Sequence, residues 1–313
     1  MWNLSFTAPE VIEARVLTRL PDAFRQPRKT AWSEANKPGQ RIDSFLEGPS
    51  FDRQGRLWVT DIPNGRIFCI GTDLQWTLAA EYDGWPNGSA FHRDGSLWIA
   101  DYRRGLLRLE PGASQPRGVL EHRNSESFRG VNDLTFDGRG RCWFTDQGQS
   151  GLHEPGGRVY RLDVDGRLEL MLQNAPSPNG LALNPDESAL YLAVTRANAI
   201  WRAPLVGGGV SKVGHFQGFF GTSGPDGLAV DVDGRLVVGH ASLRGAFVLN
   251  AMGEVTHYVR SPVGATVTNL AFRPGTHQLV MVESQTGTLL QADLPAPGLA
   301  LYSHADAMKN QKT

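Results

Sequence analysis

From residue 47 onward, short apolar runs and polar turns alternate on a recurring schedule. EGPSFDRQGRLWVTD occupies residues 47–61, NGSAFHRDGSLWIAD residues 87–101 and NDLTFDGRGRCWFTD residues 132–146. Three looser copies follow: NGLALNPDESALYLAV from Asn179, DGLAVDVDGRLVVGH from Asp226 and NLAFRPGTHQLVMVE from Asn269. Their first residues lie 40, 45, 47, 47 and 43 positions apart, and an apolar residue stands 11 places after each: Trp58, Trp98, Trp143, Leu190, Val237 and Val280. In the fourth copy Tyr191 competes for that place through a one-residue insertion. Each copy predicts a short strand, a tight turn built on Asp-Gly or an equivalent, and a β-branched and aromatic second strand. A third strand follows, as at 65–70 and 157–162, and often a fourth, as at 77–82. Four strands every 40–47 residues is the pattern of a propeller blade. The expected fold is therefore all-β, a six-bladed β-propeller with four-stranded blades, forming one domain with its blades at about 42–294.

A closed ring must hide its seam. The sixth copy runs out near Asp293, and the strand-like segment 14–20 is the expected supplier of its missing outer strand. The tail segment 299–302 is the alternative supplier, and residues 305–313 are expected to be loosely held.

In an up-and-down blade the first strand starts on the face where the second ends, because the chain reverses between them. The anchors Glu47, Asn87, Asn132, Asn179, Asp226 and Asn269 thus share one face near the axis. Residues just past each second strand join them: Asp61, Asp101, Tyr102, Arg103, Asp146, Gln147, Thr195, Arg196, His240 and Glu283. Taken singly, an Asn-Gly or Asp-Gly pair is a strand-initiating turn. Six equivalent positions that all carry a carboxylate or amide, one of them a Glu that is no turn former, suggest a ring of oxygen ligands. Two carboxylates near one axis repel unless a cation sits between them. With no Cys or His among the anchors, the ion expected is hard: Ca²⁺ first, Mg²⁺ or Mn²⁺ behind it, with Zn²⁺ also open to carboxylates.

Asp133 stands where four other copies have Gly, which makes it a further ligand, a catalytic base or a turn residue. His240 replaces the Asp of three other copies and reads as an acid/base group or a rim contact. Tyr102, Arg103, Gln147 and Arg196 either shape a substrate pocket or form a solvated rim.

Composition narrows the partners. The net charge is -1, the sequence pI is about 6.7, and no Lys/Arg run exceeds a pair such as Arg103-Arg104, which argues against nucleic acid and anionic membranes. Cys69 and Cys142 lie in apolar runs, as buried thiols of a reducing compartment do. There is no 18-residue apolar stretch and no basic-then-apolar leader, so a soluble, cytoplasmic protein, a monomer or weak homo-oligomer, is expected. Neither a Gly-x-Ser-x-Gly elbow, a P-loop nor a dinucleotide fingerprint occurs.

The motifs EGPSFD, VNDLTFDGRGRCWFTD, SPNGLALNPDESALYLAVT and GPDGLAVDVDGRLVV together resemble the gluconolactonase, regucalcin and luciferin-regenerating enzyme family, and look nearest to its gluconolactonases and drug-responsive bacterial lactonases. The resemblance implies a propeller with one divalent cation in its channel and hydrolysis of a cyclic ester. By motif match Glu47, Asn179 and Asp226 correspond to metal ligands, Asn132 to a residue at the metal or substrate, and Asp133 to a carboxylate at the metal. On this reading the lactone carbonyl would be polarised by the cation, and Asp226 or Asp133 would take the proton of the attacking water. Regucalcin-like members carry Arg two residues before the third-blade Asn, where this chain has Gly130 with Arg129 behind it. Phosphotriester hydrolysis and a non-enzymatic Ca²⁺-binding or docking propeller are the competing readings; inward carboxylates at Glu47 and Asp226 are superfluous to docking.

Overall fold

A computed structural model describes residues 7–305. Six inner strands, Leu46–Phe51, Pro86–Phe91, Val131–Phe136, Pro178–Leu183, Pro225–Val230 and Val267–Phe272, each pack against the next, and the last returns to the first. From each, an antiparallel meander runs outward, giving six sheets around one axis: a six-bladed β-propeller. The apolar clusters lie between neighbouring sheets. Ile67, Ala80, Phe91, Leu97, Ile99 and Leu107, for instance, join the first sheet to the second. Burying both faces of every sheet against its neighbours leaves the axis as an interior region where polar side chains can gather. Among the described residues no helix is long and apolar enough to cross a membrane.

The seam is held at the N-terminal end. Arg15–Arg19 lies antiparallel to Thr288–Asp293 as the outer strand of the sixth sheet, and Glu10–Glu13 lies parallel to Val255–Arg260 as a fifth strand of the fifth. One short segment thereby straps two sheets, with Ala14 buried at the crossing. Segment 299–302 joins no blade. It crosses the lower face, where Leu299 N–H donates to the Val230 carbonyl at 2.9 Å and the Tyr302 ring lies 5.1 Å from His92 and 5.9 Å from Phe136. Of the tail expected to be loosely held, 306–313 falls outside the described residues.

The repeated Asp-x-x-Gly-Arg-x-Trp of the lower turns has a specific cause. Asp137 Oδ1 accepts from the Arg139 and Arg141 backbone N–H groups, while its Oδ2 accepts from Arg141 Nε at 2.6 Å and Trp143 Nε1 at 3.0 Å. Asp52 does the same with Arg56 and Trp58. Gly55 and Gly140, at φ 75° and 81°, supply the left-handed turn residue that a Cβ would disfavour. The carboxylate therefore closes the turn and pins the second strand's Trp between blades.

The polar stretch 21–40 holds a short helix, Ala31–Asn36. Thr30 Oγ1 accepts from Ser33 N–H and Ser33 Oγ from Thr30 N–H, a capping box with Ser in the place usually taken by Glu or Gln. Trp32 anchors this helix on Phe45, at 4.9 Å between rings, over the upper mouth of the ring.

Replacing Asp137 with Ala strands Arg141, Trp143 and two backbone donors, and is expected to lower stability by about 2–3 kcal/mol in urea unfolding. Asp165→Ala, at an exposed turn, should change it by less than about 0.5 kcal/mol.

Candidate active site

Every inner strand is bulged at its anchor. Pairing with the second strand slips by one residue between 47 and 50, 86 and 89, 131 and 134, 178 and 181, 225 and 228, and 267 and 269. A bulge turns two successive side chains the same way, so the axis carries two tiers. The upper tier is Glu47, Asn87, Asn132, Asn179, Asp226 and Thr268; the lower is Gly48, Gly88, Asp133, Gly180, Gly227 and Asn269. The expected sixth anchor is thus corrected from Asn269 to Thr268. Phe51 pairs with Leu57 but Phe272 with Leu279, so the sixth turn is one residue longer, and counting back from Val280 lands one residue late. The fourth turn is lengthened in the same way, which places Tyr191 opposite Ala182, where Trp58 stands opposite Ser50.

Hydroxyls on the second strands and just beyond them stitch these bulges to the adjacent blade: Thr60 to the Asn87 carbonyl at 2.6 Å, Thr145 to Asn179 at 2.9 Å, Thr195 to Pro225 at 2.8 Å and Ser284 to Leu46 at 2.7 Å. The acids at the second-strand ends have similar work. Asp61 accepts from Phe45 N–H, Asp146 from Gly130 N–H and Glu283 from Thr266 N–H, in each case the amide two residues before the anchor. Asp101 accepts from the Arg103 and Arg104 amides and from the Tyr82 hydroxyl. Asp61, Asp101 and Glu283 are thus spent on these bonds; Asp146 keeps a buried Oδ2 without a hydrogen-bond partner among the described residues, but it does not line the cavity.

The upper tier floors a cavity of about 850 Å³, which Glu47, Asn132, Asn179, Asp226, Tyr102, Gln147 and Arg196 all line. Asn132 Nδ2 donates to Gln147 Oε1 at 3.0 Å, and Gln147 Nε2 to Ser177 Oγ at 2.9 Å, which leaves the Asn132 carbonyl oxygen as its open acceptor. Trp32, Lys37, Trp85, Ser177 and Thr268 also line it. The sequence reading missed these five; an aromatic just ahead of the second anchor and a Trp inside a capped turn were the available signals. Trp85 lies 6.0 Å from Tyr102, whose hydroxyl accepts from Gln149 Nε2 at 2.7 Å.

Three expected site residues lie elsewhere. Arg103 turns outward to Asp83 at 2.7 Å. His240 is fully buried behind the wall. Asp133, on the lower tier, faces a separate chamber of about 190 Å³ beneath the floor, beside Asn269 and the tail segment. Its Oδ1 accepts from Leu134 N–H at 2.8 Å, and Asn269 reaches its Oδ2 across the axis at 3.5 Å.

Burial raises the proton affinity of Glu47. It pushes Asp133 up to about 7, with the Glu47 charge adding to it. Asp226 is raised well above the carboxylate range by burial and then by the Glu47 and Asp133 charges. Asp226 keeps some accessible surface, but it faces the cavity rather than bulk water. Among the described residues no Lys or Arg forms an ion pair with these three, and no three His, Cys, Asp or Glu side chains converge tightly enough to hold a metal by themselves. A divalent cation would balance this charge, and the donors suit it if amide oxygens complete the set: Glu47 and Asp226 with Asn179 and Asn132, all oxygen.

The sequence model described as SMP-30/Gluconolactonase/LRE-like region matches residues 45–285. The lactonase drp35 of Staphylococcus aureus (strain MRSA252) is 28% identical over 289 residues, covering 83% of this chain and 84% of that protein. The lactonase drp35 of Staphylococcus epidermidis (strain ATCC 12228 / FDA PCI 1200) is 29% identical over 255 residues, covering 75% and 77%. Among solved structures, a gluconolactonase from Xanthomonas campestris aligns with TM-score 0.72 at 24% identity, covering 90% of this chain and 99% of that one. The calcium-binding protein regucalcin from Agrobacterium tumefaciens str. C58 aligns at 0.73 and 18%, covering 94% and 97%. These two structural likenesses show the fold.

His240 is locked as a neutral ring. Its Nδ1 accepts from Ser242 N–H at 3.3 Å, so Nε2 carries the proton toward Asn198 Oδ1 at 3.2 Å, and Phe219 lies 5.4 Å away. Burial lowers its pKa to about 4. The unfolded chain binds this proton near pH 6.5 and the folded chain does not, so the stability that neutral His240 contributes is present above pH 6.5 and is lost as pH falls through about 4. The destabilisation caused by His240→Asn should therefore be largest at pH 7 and shrink by about 2–3 kcal/mol toward pH 4, read from urea unfolding across that range.

Proposed function

The chain belongs to the SMP-30/gluconolactonase/LRE-like family, and from that premise we propose that it is a lactonase, hydrolysing a cyclic ester in the upper cavity with a divalent cation held by Glu47, Asn179, Asp226 and Asn132. The observation that carries this reading is the pair Glu47 and Asp226 at the cavity floor, two acids left without a Lys or Arg partner among the described residues while the neighbouring second-strand acids are taken up by backbone amides. Ca²⁺ is the preferred ion, since the donor oxygens include neutral amides and several positions remain for water or substrate.

When bound, the cation supplies Lewis-acid stabilisation of the negative charge that develops on the lactone carbonyl oxygen. The two floor acids divide their duties. Glu47 is 3% exposed and takes a bond from Gly48 N–H at 3.0 Å, so its carboxyl group is fixed in position as a ligand. Asp226 presents surface to the cavity and is the group placed to act as base. Asp226 takes a proton from water as the water oxygen attacks the carbonyl carbon. The ring C–O bond then breaks, and the leaving alkoxide oxygen recovers that proton from Asp226. The product is an open-chain hydroxy acid. Gln147 fixes the Asn132 amide so that its oxygen, not its nitrogen, is offered to the site. Tyr102 and Trp85 form a wall against which the lactone ring can lie. Asp133 lies below the floor and adds its charge to the site without facing the substrate.

Protein stripped with a chelator should lose turnover on a panel of sugar, aliphatic and aromatic lactones, followed by acid release, and regain it with Ca²⁺ or another divalent ion. Equal rates before and after stripping would sink the metal-dependent reading. Glu47→Gln and Asp226→Asn are expected to lower kcat by on the order of 10²–10³ while leaving urea unfolding cooperative.

A further inference from the structure

The upper cavity contains cations that the reaction above does not use. Arg196 lines it near Asp226, whose proton affinity its charge reduces, yet its guanidinium makes no hydrogen bond or ion pair among the described residues. Lys37 lines it from the end of the capping helix, its ammonium 5.3 Å above the Phe45 ring and likewise without an acidic partner there. Neighbouring charges at this rim are paired: Arg103 with Asp83 at 2.7 Å and Arg129 with Glu154 at 3.3 Å. The acids that line the cavity are Glu47 and Asp226, and both sit on the floor. Once a divalent cation balances that floor, the remaining field inside the cavity is set by Arg196 and Lys37, and it is positive. A concave wall of one sign concentrates ligands of the other.

Resting on the lactonase reading, we propose that the substrate is a lactone bearing an anionic oxygen group, a carboxylate or a phosphate, and that Arg196 is the specificity-determining residue that binds it. The guanidinium offers a planar fork matched to two oxygens of such a group. Lys37 ends the helix that rests on Phe45, just ahead of the first blade's inner strand, while Arg196 follows the second strand of the fourth blade, across the ring. Lys37 therefore contributes attraction across the mouth, while Arg196, beside the floor, fixes the orientation of the ring. A substituent held at Arg196 leaves the ester free to reach Asp226 and the Asn132 oxygen. Released product carries a second anionic group, the carboxylate of the opened ring, which adds to the anionic character this cavity accommodates.

The test compares one six-membered lactone carrying a side-chain carboxylate with its carboxamide and its phosphate-bearing counterpart. The native protein in Ca²⁺ should open the carboxylate or the phosphate form with kcat/KM at least about tenfold above the neutral amide, and the better of the two identifies the group. Arg196→Gln should abolish that ratio, Arg196→Lys should restore part of it, and Lys37→Gln should reduce it less. Raising the salt to about 0.5 M should also compress the ratio. Equal kcat/KM for charged and neutral forms in the native protein, or a ratio untouched by Arg196→Gln, overturns the inference while leaving the lactonase reading intact. If none of the three lactones nor any of the wider panel is opened, the lactonase reading falls and takes this inference with it.

Discussion

Glu47 and Asp226 are held close to one another in a ring interior, away from bulk water, and among the described residues neither is ion-paired with a basic side chain. Buried like charges destabilise a fold by several kcal/mol unless one is protonated or a counter-ion arrives. That constraint orders much of the molecule. The inner strands must present oxygens inward at one height, which needs a bulge at the same place in all six. They must also resist being pushed apart, which needs their carbonyls tied to the neighbouring blade. Thr60, Thr145, Thr195 and Ser284 do this with hydroxyl bonds of 2.6–2.9 Å. The strap of residues 10–19 across the last two sheets acts at larger radius, resisting opening at the seam.

The lower tier shows how close the packing at the axis is. A Cβ built on Gly88 would lie 2.0 Å from Asp133 Oδ1, and one on Gly227 would lie 2.2 Å from Asn269 Oδ1. Asp133 and Asn269 come from the third and sixth sheets, which face each other across the ring, and their side chains fill the space that two glycines leave. The contact between them forms the partition between the large upper cavity and the small chamber above the tail. The glycine that follows most anchors is therefore explained by its neighbour's side chain as much as by the turn.

The ring and its six sheets were legible because the first, third and fifth blades repeat one Asp-closed turn, at Asp52, Asp137 and Asp231, and that turn fixes the spacing of the Trp or Val that follows. Legibility failed where the repeat changed length. A single added residue in the sixth turn moved the anchor from Thr268 to Asn269, and a pattern whose period is two residues gives no warning of such a slip. Asp133 was read as lying beside Asn132; in sequence it does, but the bulge sends it one tier down. His240 shares a sequence column with Asp61, Asp101 and Asp146, and like them it is turned to backbone and loop rather than to the cavity. The helix over the mouth was missed because six residues carry too little periodicity, and its capping box uses Ser at the third position.

Gly130 is required by the aromatic wall of the cavity. A Cβ built on Gly130 would stand 2.4 Å from the Tyr102 ring. Tyr102 itself is bonded through its hydroxyl to Gln149 and packed on Trp85, so it cannot withdraw without giving up both contacts. The glycine and the aromatic wall beside it are thus one structural requirement, not two. A guanidinium at that place would offer hydrogen-bond donors to ring hydroxyls, whereas Tyr102 and Trp85 offer an apolar face to a ring of carbon. Positive charge in this cavity enters from Arg196 on the fourth blade and from Lys37 at the end of the helix over the mouth. The cavity therefore sets a flat apolar face apart from its cations, and the close approach of Tyr102 to Gly130 holds that face in place.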